Sequence, residues 1–400
     1  MRLSTSQIFR QSIGGILDRQ LQLNQTQLQI STGKRIARPS DDPVGAARIL
    51  DIKEQMATVN QYQRNADLAN TQLNLEENAL NGVENVLQRV RELALQAKND
   101  TLDTQNRQGL ASEIRARVNE LLSLVNTKDA NGDFMFAGFQ TNTQPFVFSG
   151  GTLSYNGDQG QRFLQIGPSV QIAASDSGAS VFQDIGTGNG TFSVAHNPAN
   201  TGTAIVGSTA TDGSFVPDTY TVSFTQALPT DPITYQVSGV LSGVVAAGTY
   251  GGGEIISFNG AAITIDGDPA DGDSFTVASS GQQDMFTTLD KLAAALESTA
   301  SGRVAKAELH NVVNRQIENL DRALDNVLAT HTQVGTRLNN VDSQTQVNGD
   351  FILQMTKAQS DIEDIDLVDA IGRLSLETVA LQAAQQAYVR VQSLSLFNIL

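Results

Sequence analysis

The stretch LVDAIGRLSLETVALQAAQQAY, residues 367–388, decides how this chain folds. Its seam positions recur in alternating steps of four and three residues, which is the spacing of a helix that packs in a coiled coil. The seam consists of Leu367, Ile371, Leu374, Thr378, Leu381, Gln385 and Tyr388. The C-terminal part of the chain is therefore predicted to be a helix that needs a helical partner.

The N-terminal part of the chain offers such a partner. A narrow apolar stripe runs through a segment that otherwise consists mainly of Gln, Asn, Ser and Thr; its members are Ile13, Leu17, Leu21 and Leu28. A helix with so little apolar surface is only marginally stable alone in water. We therefore expect residues 1 to about 40 and about 365 to 400 to order on another helix, in the same molecule or in a neighbour, and to resist proteolysis only in an assembly. Such termini are typical of a subunit that polymerises.

A second and longer seam precedes the terminal one. It consists of Val313, Ile317, Leu320, Leu324, Val327, His331, Val334, Leu338, Val341, Thr345, Asn348, Ile352 and Met355. At 1.5 Å per residue this seam predicts a helix roughly 60 Å long. The polar members Thr345 and Asn348 either interrupt the stripe by chance or fix the register of the helix pair, and we favour the register interpretation.

A long helix is also predicted to begin at Pro43. Proline fits the first helical turn, and Asp42 can cap free backbone N–H groups, so we interpret Asp41 and Asp42 as part of a cap rather than as a catalytic pair. One face of this helix is apolar at Leu73, Leu80, Val83, Leu87, Val90, Ala94 and Ala97. A further helix is predicted from about Thr104, with its apolar face at Leu110, Ile114, Val118 and Leu121.

Residues 142–283 have the composition of β-structure. They contain 22 of the 34 Gly and 7 of the 9 Pro, and residues 219–224 and 263–265 alternate as strands do. With one Arg, no Lys, ten Asp and one Glu, this stretch carries a net charge of −10 out of −16 for the whole chain. The acidity of the protein is therefore mainly a property of the insert.

The predicted fold class is α+β and multidomain, with a long antiparallel helical rod that carries the β-rich insert at its tip. The helix after the insert is expected to run antiparallel to the helix that begins at Pro43, so that the termini meet at the opposite end. The predicted segments are an N-terminal coiled-coil segment (1–42), a first part of the helical rod (43–141), the inserted β-rich domain (142–283), a second part of the rod (284–360) and a C-terminal coiled-coil segment (361–400).

Composition excludes several classes of partner. The net charge of −16 disfavours nucleic acid and anionic membrane surfaces, because phosphate contacts need clustered Lys and Arg. Cysteine is absent, which excludes disulfides, thiolate metal sites and cysteine nucleophiles. No stretch approaches the ~20 apolar residues of a membrane span, and the N-terminal residues do not read as a cleavable signal peptide. Export from the cell would therefore need another route.

The run GKRIARPSDDPVGAA, residues 33–47, resembles the stretch that follows the first helix in flagellins and flagellar hook-associated proteins. The residues that carry this motif are Gly33, Arg38, Pro39, Ser40, Asp41, Asp42 and Pro43. The run DIEDIDL, residues 361–367, is also similar in style to flagellin.

Three further segments are more similar to the hook-associated protein 3 family of junction proteins than to flagellin. They are MRLST at residues 1–5, NGDFMFAG at 131–138 and SLSLFNIL at 393–400. The resemblance covers the helical parts before and after the insert. It does not extend to residues 184–283, whose β-structure is predicted from composition alone.

The resemblance implies a structural adaptor between the hook and the filament of a bacterial flagellum. Such a protein is exported unfolded through the flagellar type III channel, after a cytoplasmic export chaperone has bound its C-terminal region. Outside the cell it assembles as a ring of copies of itself, with hook-associated protein 1 on one side and flagellin on the other. The terminal helices would form the assembly interface through Ile13, Leu17, Leu21, Leu28, Leu367, Ile371, Leu374, Leu381 and Tyr388.

Three other functions stay open as alternatives. A flagellin-type filament subunit differs from a junction protein in copy number and in self-propagation. A glycan-binding insert would need an aromatic-lined surface, yet the chain has no Trp and the insert has only scattered Tyr. A cytoplasmic coiled-coil scaffold fits neither the terminal motifs nor the β-rich insert.

Residues that could carry chemistry are sparse. The Asp-rich loop 266–273 suits a turn between strands or a calcium site, and its spacing departs from the EF-hand because Val277 stands where that loop needs Glu. His196 and His310 lack ligand partners at suitable spacing, and His331 on the long seam is interpreted as a packing irregularity or a register marker. We therefore expect no catalytic residue, no cofactor and no metal site.

Overall fold

The computed structural model describes residues 5–299 and 301–397. Within them the chain forms two compact units, a terminal unit made of the residues up to Arg64 and from Gln344 onward, and a central unit from Asn65 to Ser343. The helices are α1 (Thr5–Thr32), α2 (Pro43–Ala97), α3 (Thr104–Val125), α4 (Met285–Glu297), α5 (Arg303–Glu363) and α6 (Leu367–Phe397). Both α2 and α5 cross the boundary and contribute to each unit. No helix in the described part of the chain is long and apolar enough to cross a membrane.

The long seam predicted on α5 forms the core of the central unit. Its best-buried members recur every seven residues and none is more than 1% exposed; they are Val313, Leu320, Val327, Val334 and Val341. In this unit α2 runs antiparallel to α5, since Arg91 donates to Asp321 at 2.6 Å and Asn70 donates to Asp342 at 3.2 Å. The prediction of long antiparallel helices is thereby confirmed for the central unit.

Asn348 continues the seven-residue spacing of α5 into the terminal unit. It is buried, and its amide oxygen accepts a hydrogen bond of 2.9 Å from Gln344. A buried polar side chain at a seam position excludes alternative helix pairings at a cost in stability. This geometry is compatible with the register interpretation, which remains a prediction.

All the strands lie within the acidic insert, and they pair antiparallel throughout. The strands are β1 (Phe146–Ser149), β2 (Thr152–Tyr155), β3 (Phe163–Gly167), β4 (Val170–Ala173), β5 (Phe192–His196), β6 (Ile205–Thr211), β7 (Thr219–Thr225), β8 (Thr234–Gly239), β9 (Gly243–Thr249), β10 (Ile255–Phe258), β11 (Ala261–Asp266) and β12 (Ser274–Ser279). The hairpins β1–β2 and β3–β4 stand alone, and the remaining strands form a five-stranded sheet, β5-β12-β7-β8-β9, and a three-stranded sheet, β10-β11-β6. The two strand segments predicted from alternation correspond to β7 and β11.

The insert contributes to two separate hydrophobic cores. Phe146, Ile166 and Ile172 of the first two hairpins are buried with the helices of the central unit. The two larger sheets enclose a second core, in which Tyr220, Phe224 and Phe275 of the five-stranded sheet lie with Ile263 and Ile265 of the three-stranded sheet. Alternate residues of these strands are buried because successive side chains of a strand point to opposite faces.

The Asp-rich loop closes a turn between strands. The carboxylate of Asp273 accepts the backbone N–H groups of Thr201 at 2.7 Å, Gly202 at 2.9 Å and Ala270 at 2.8 Å. Asp271 accepts the N–H of Gln226 at 2.9 Å. Among the residues that the structure describes, no group of three or more His, Cys, Asp or Glu is placed to hold a metal ion.

A buried carboxyl group on α2 connects the helices of the central unit to the insert. Glu76 is fully buried, and its Oε1 accepts the backbone N–H of Asp176 at 3.0 Å. Arg337 of α5 donates two hydrogen bonds to Asp176, at 2.8 and 2.9 Å. Burial, and then the nearby Asp176 carboxylate, raise the pKa of Glu76 to about 8. Glu76 is therefore mainly protonated at neutral pH.

We expect Glu76→Gln to stabilise the protein in mildly alkaline solution. The raised pKa of Glu76 means that its contribution to stability is present below the unfolded-state pKa of 4.5 and is lost as the pH rises toward 8. Glutamine keeps a neutral acceptor at this position and does not ionise. We expect the free energy of unfolding of the variant, measured in urea, to rise relative to that of the wild type by up to about 3 kcal/mol between pH 5 and pH 8.

The exposed Glu92 provides a matched control, because Glu92→Gln removes a carboxylate of α2 that is not buried. If the free energy of unfolding changed equally with pH for the wild type and for Glu76→Gln, the fold would not be holding Glu76 in its neutral form.

Candidate functional site

Two loops that are far apart in the sequence join in the terminal unit. The loop after α1 and the end of α5 form a short antiparallel bridge between Lys34 and Asp364. The N–H of Arg35 donates to the carbonyl of Glu363 at 2.7 Å, and the N–H of Ile365 donates to the carbonyl of Gly33 at 3.1 Å. We call this junction of residues 33–42 and 359–366 the clasp. It brings together the two runs that resemble flagellin.

The side chain of Glu363 is the centre of the clasp. Its carboxylate is buried and accepts hydrogen bonds from Lys34 and from Gln359, both at 2.5 Å, while the Lys53 ammonium lies 3.7 Å away. The hydrogen bond from Lys34 is the largest cause that lowers the pKa of Glu363 below its usual range. Burying a carboxylate is costly unless it is paired and hydrogen-bonded, and here both conditions are met.

Residues 38–43 form a turn followed by a helix cap. The N–H of Asp41 donates to the carbonyl of Arg38 at 3.0 Å, so Pro39 and Ser40 occupy the middle of a β-turn. The Asp41 carboxylate accepts the backbone N–H of Arg38 at 2.8 Å. Asp42 accepts the N–H of Gly45 at 2.9 Å and thereby caps α2, which begins at Pro43. The motif residues therefore shape the loop that enters α2.

Glycines stand at both ends of this loop, Gly33 at its start and Gly45 in the first turn of α2. Gly33 follows the last residue of α1 with a φ of +70°, a left-handed conformation that glycine adopts readily at a helix C-terminus. A Cβ on Gly45 would lie 2.6 Å from Ile36 and from the carboxylate of Asp42. Gly45 thus lets α2 begin close against the clasp.

Helix α1 lies alongside α6, and the sequence analysis missed the residues on its less exposed face. Phe9 of α1 contacts Tyr388 of α6 edge-to-face, with ring centroids 5.8 Å apart. The half-buried residues Phe9, Ile16, Leu23 and Ile30 recur every seven residues. That strict spacing is a coiled-coil signal, and it could have identified this face from the sequence.

The stripe predicted on α1 lies on a different face. Ile13, Leu17, Leu21 and Leu28 are 39–66% exposed, although the sequence analysis offered them as the partner of the C-terminal seam. At 3.6 residues per turn, the mean direction of this stripe is rotated by roughly 115° from that of the heptad of Phe9 and Ile30. Helix α1 therefore carries two apolar faces, and the predicted one is uncovered in the single chain.

Helix α6 is apolar on more than one side. Of the predicted seam residues, Leu374, Leu381 and Tyr388 are half-buried, whereas Leu367 and Ile371 are exposed. Other sides of α6 expose Val368, Leu376, Val379 and Val389. Large apolar side chains on several sides of one helix suit burial against more than one neighbour.

A groove links the exposed stripe of α1 to the clasp. Its volume is about 290 Å³. It is lined by Leu21, Asn24, Gln25, Leu28, Gln29, Ala37, Arg38 and Asp41. The predicted interface residues and the motif residues therefore meet on one surface of the terminal unit.

The chain is similar to known flagellar proteins in sequence and in fold. Residues 4–141 match the family model of the bacterial flagellin N-terminal helical region. The chain is 26% identical over 400 residues to flagellar hook-associated protein 3 of Escherichia coli (strain K12), which covers 100% of this chain and 99% of that protein. A solved structure of the flagellar junction protein from Legionella pneumophila is 34% identical, with a TM-score of 0.73, and the match covers 80% of this chain and 100% of that one. A flagellin of Clostridium tyrobutyricum is 33% identical over 110 residues, or 28% of this chain and 29% of the flagellin.

We expect Glu363→Gln to loosen the clasp. The substitution removes the charge that holds Lys34 and Lys53, so the melting temperature should fall by about 2–4 °C at neutral pH. Because the pKa of Glu363 is lowered in the folded protein, its contribution is present above the unfolded-state pKa of 4.5 and is lost as the pH falls through the lower folded-state value. Differential scanning fluorimetry at pH 7 and at pH 3 should therefore show a difference that shrinks in acid.

Asp361→Asn, which neutralises an exposed carboxylate two residues earlier, is the control. An equal effect of both variants would indicate a general charge effect rather than the clasp.

Proposed function

Because the chain belongs to the family of flagellar hook-associated protein 3, we propose that it is a structural adaptor that joins the hook of a bacterial flagellum to its filament. The similar protein from Legionella pneumophila is named a flagellar junction protein. The observation that carries the proposal is the uncovered apolar surface of α1 and α6 beside the clasp. This surface suits subunit contacts and requires no bond chemistry, so we infer a role without catalysis.

The adaptor assembles as a ring of subunits through its terminal helices. Leu17 and Leu21 of α1 and Leu367 and Ile371 of α6 expose large apolar side chains that a neighbouring copy can cover. Burial of a leucine or isoleucine side chain contributes about 1.5–3 kcal/mol, so a few such residues per subunit are enough to favour association. The heptad face of α1 stays with α6 of the same chain, and the stripe is left for contacts between copies.

The proposed position between the hook and the filament also determines the partners of the protein. Hook-associated protein 1 binds one side of the ring, and flagellin binds the other. Before export, a cytoplasmic chaperone covers the C-terminal region, because α6 exposes Val368, Leu376 and Val379 when it is not assembled. The protein leaves the cell unfolded through the flagellar type III channel and acts outside the cell at the hook-filament junction.

A flagellin-type filament subunit is the alternative. The match of residues 4–141 to the flagellin N-terminal helical region and the 33% identity to a flagellin over 110 residues favour it. The similarity to a hook-associated protein extends over all 400 residues and therefore includes the insert, which favours the adaptor.

Immunogold electron microscopy of intact flagella tests the proposed location directly. An epitope inserted beside Gly251 lies in an exposed turn before β10 and leaves the terminal helices unchanged. We expect a single band of gold where the hook meets the filament. Label along the whole filament would mean that the protein is a flagellin. An untagged strain controls for non-specific label.

A further inference from the structure

A cavity lies where two helices of the central unit begin. Its volume is about 190 Å³, several times the ~30 Å³ that one water occupies in the liquid. It is lined by Asp103, Thr104, Arg107, Ser298, Ser301, Gly302, Ala305, Lys306 and Leu309. Thr104 is the first residue of α3, and Gly302 directly precedes α5. The first N–H groups of a helix lack intrahelical acceptors and favour negative charge. The start of α3 is already capped by the Asp103 carboxylate, so the start of α5 is the helix end that favours an anion here.

Arg107 is an independent sign that an anion belongs in this cavity. Its side chain is buried, with the residue only 8% exposed. Nη1 donates to the carbonyl of Leu102 and Nη2 donates to the hydroxyl of Thr104, each at 3.2 Å, and both acceptors are neutral. Nε is buried and has no acceptor among the described residues. A guanidinium has five N–H donors, so much of its hydrogen-bonding capacity is unused.

Several other arginines in the helices of the central unit have a carboxylate partner. Arg91 donates to Asp321 at 2.6 Å, and Arg115 donates to Glu297 at 2.6 Å. Within the described part of the chain, Arg107 forms no such ion pair. A buried cation without a counter-charge is costly, and a bound anion would supply that charge.

The remaining side chains of the cavity fit the same ligand. Lys306 is exposed at the rim, and its ammonium donates to the carbonyl of Asp100 at 2.9 Å, which leaves two donors for a ligand. Ser298 and Ser301 add hydroxyl groups. Asp103 is the one acidic residue in the lining, and its Oδ1 is engaged as the N-cap of α3, where it accepts the N–H of Asn106 at 2.7 Å. The two positive charges of Arg107 and Lys306 exceed the single negative charge of Asp103.

We propose that this cavity binds a small oxyanion of the phosphate or sulfate type. Arg107 holds the anion from the buried side, Lys306 closes the exposed side, and the hydroxyl groups donate the remaining hydrogen bonds. Arginine and helix N-termini are the usual components of such sites in proteins. The site belongs to the central unit and does not depend on the assembly role of the terminal helices.

The Nε–H group of Arg107 provides a local probe of binding. The full-length protein is labelled with ¹⁵N, and the Arg107 Nε–H resonance is assigned by its loss in Arg107→Lys. Sodium phosphate is then titrated against sodium chloride at constant ionic strength. We expect a saturable shift of this resonance with phosphate and no saturable shift with chloride.

Variants at the rim keep the test independent of folding. Lys306→Gln removes an exposed ammonium and should weaken phosphate binding about tenfold, the equivalent of one charge-assisted hydrogen bond. Lys98→Gln removes a nearby exposed charge that does not line the cavity, and it should change binding less than about twofold. A resonance that phosphate does not shift, or equal weakening by both variants, would overturn the proposal.

Discussion

The terminal unit depends on the paired carboxylate of Glu363. A buried carboxylate is tolerated only with cationic and hydrogen-bonding partners, and here Lys34, Lys53 and Gln359 supply them. These partners come from the loop after α1, from α2 and from α5. The clasp thus fixes the point at which α1 ends and α6 begins, because Thr32 and Leu367 adjoin it directly. Because the clasp holds α1 and α6 at one end, the apolar contacts that follow along the two helices set the register between them.

The two faces of α1 leave one apolar surface of the terminal unit exposed. The heptad from Phe9 to Ile30 stays with the chain's own helices, and the second stripe, with Leu17 and Leu21 at its centre, stays exposed. A monomeric soluble protein rarely exposes a continuous apolar surface of this kind without a partner. A subunit of the proposed kind must remain soluble before export and associate after it. It therefore needs a covered face and an exposed apolar face on the same helix.

Periodic features could be predicted from the sequence, and contacts between distant residues could not. The four-and-three spacing from Val313 to Met355 predicted the long helix α5, and Asp42 with Pro43 predicted the start of α2, because both signals are local. The clasp joins Lys34 to Glu363 across 329 positions, and the buried Glu76 meets Asp176 across 100 positions. No local sequence pattern predicts contacts between residues so far apart in the chain. On α1, the stripe and the heptad each contain four large apolar residues, and the strict seven-residue spacing is the only sequence signal that distinguishes the covered face.

Photo-crosslinking in assembled flagella tests the two-faced account of α1 most directly. A photoreactive phenylalanine analogue is placed at Leu21 on the exposed stripe, and separately at Leu23 on the heptad face. The account predicts that Leu21 gives crosslinks between different chains, whereas Leu23 gives crosslinks within one chain, to α6. Crosslinks within one chain from Leu21, together with crosslinks between chains from Leu23, would contradict it.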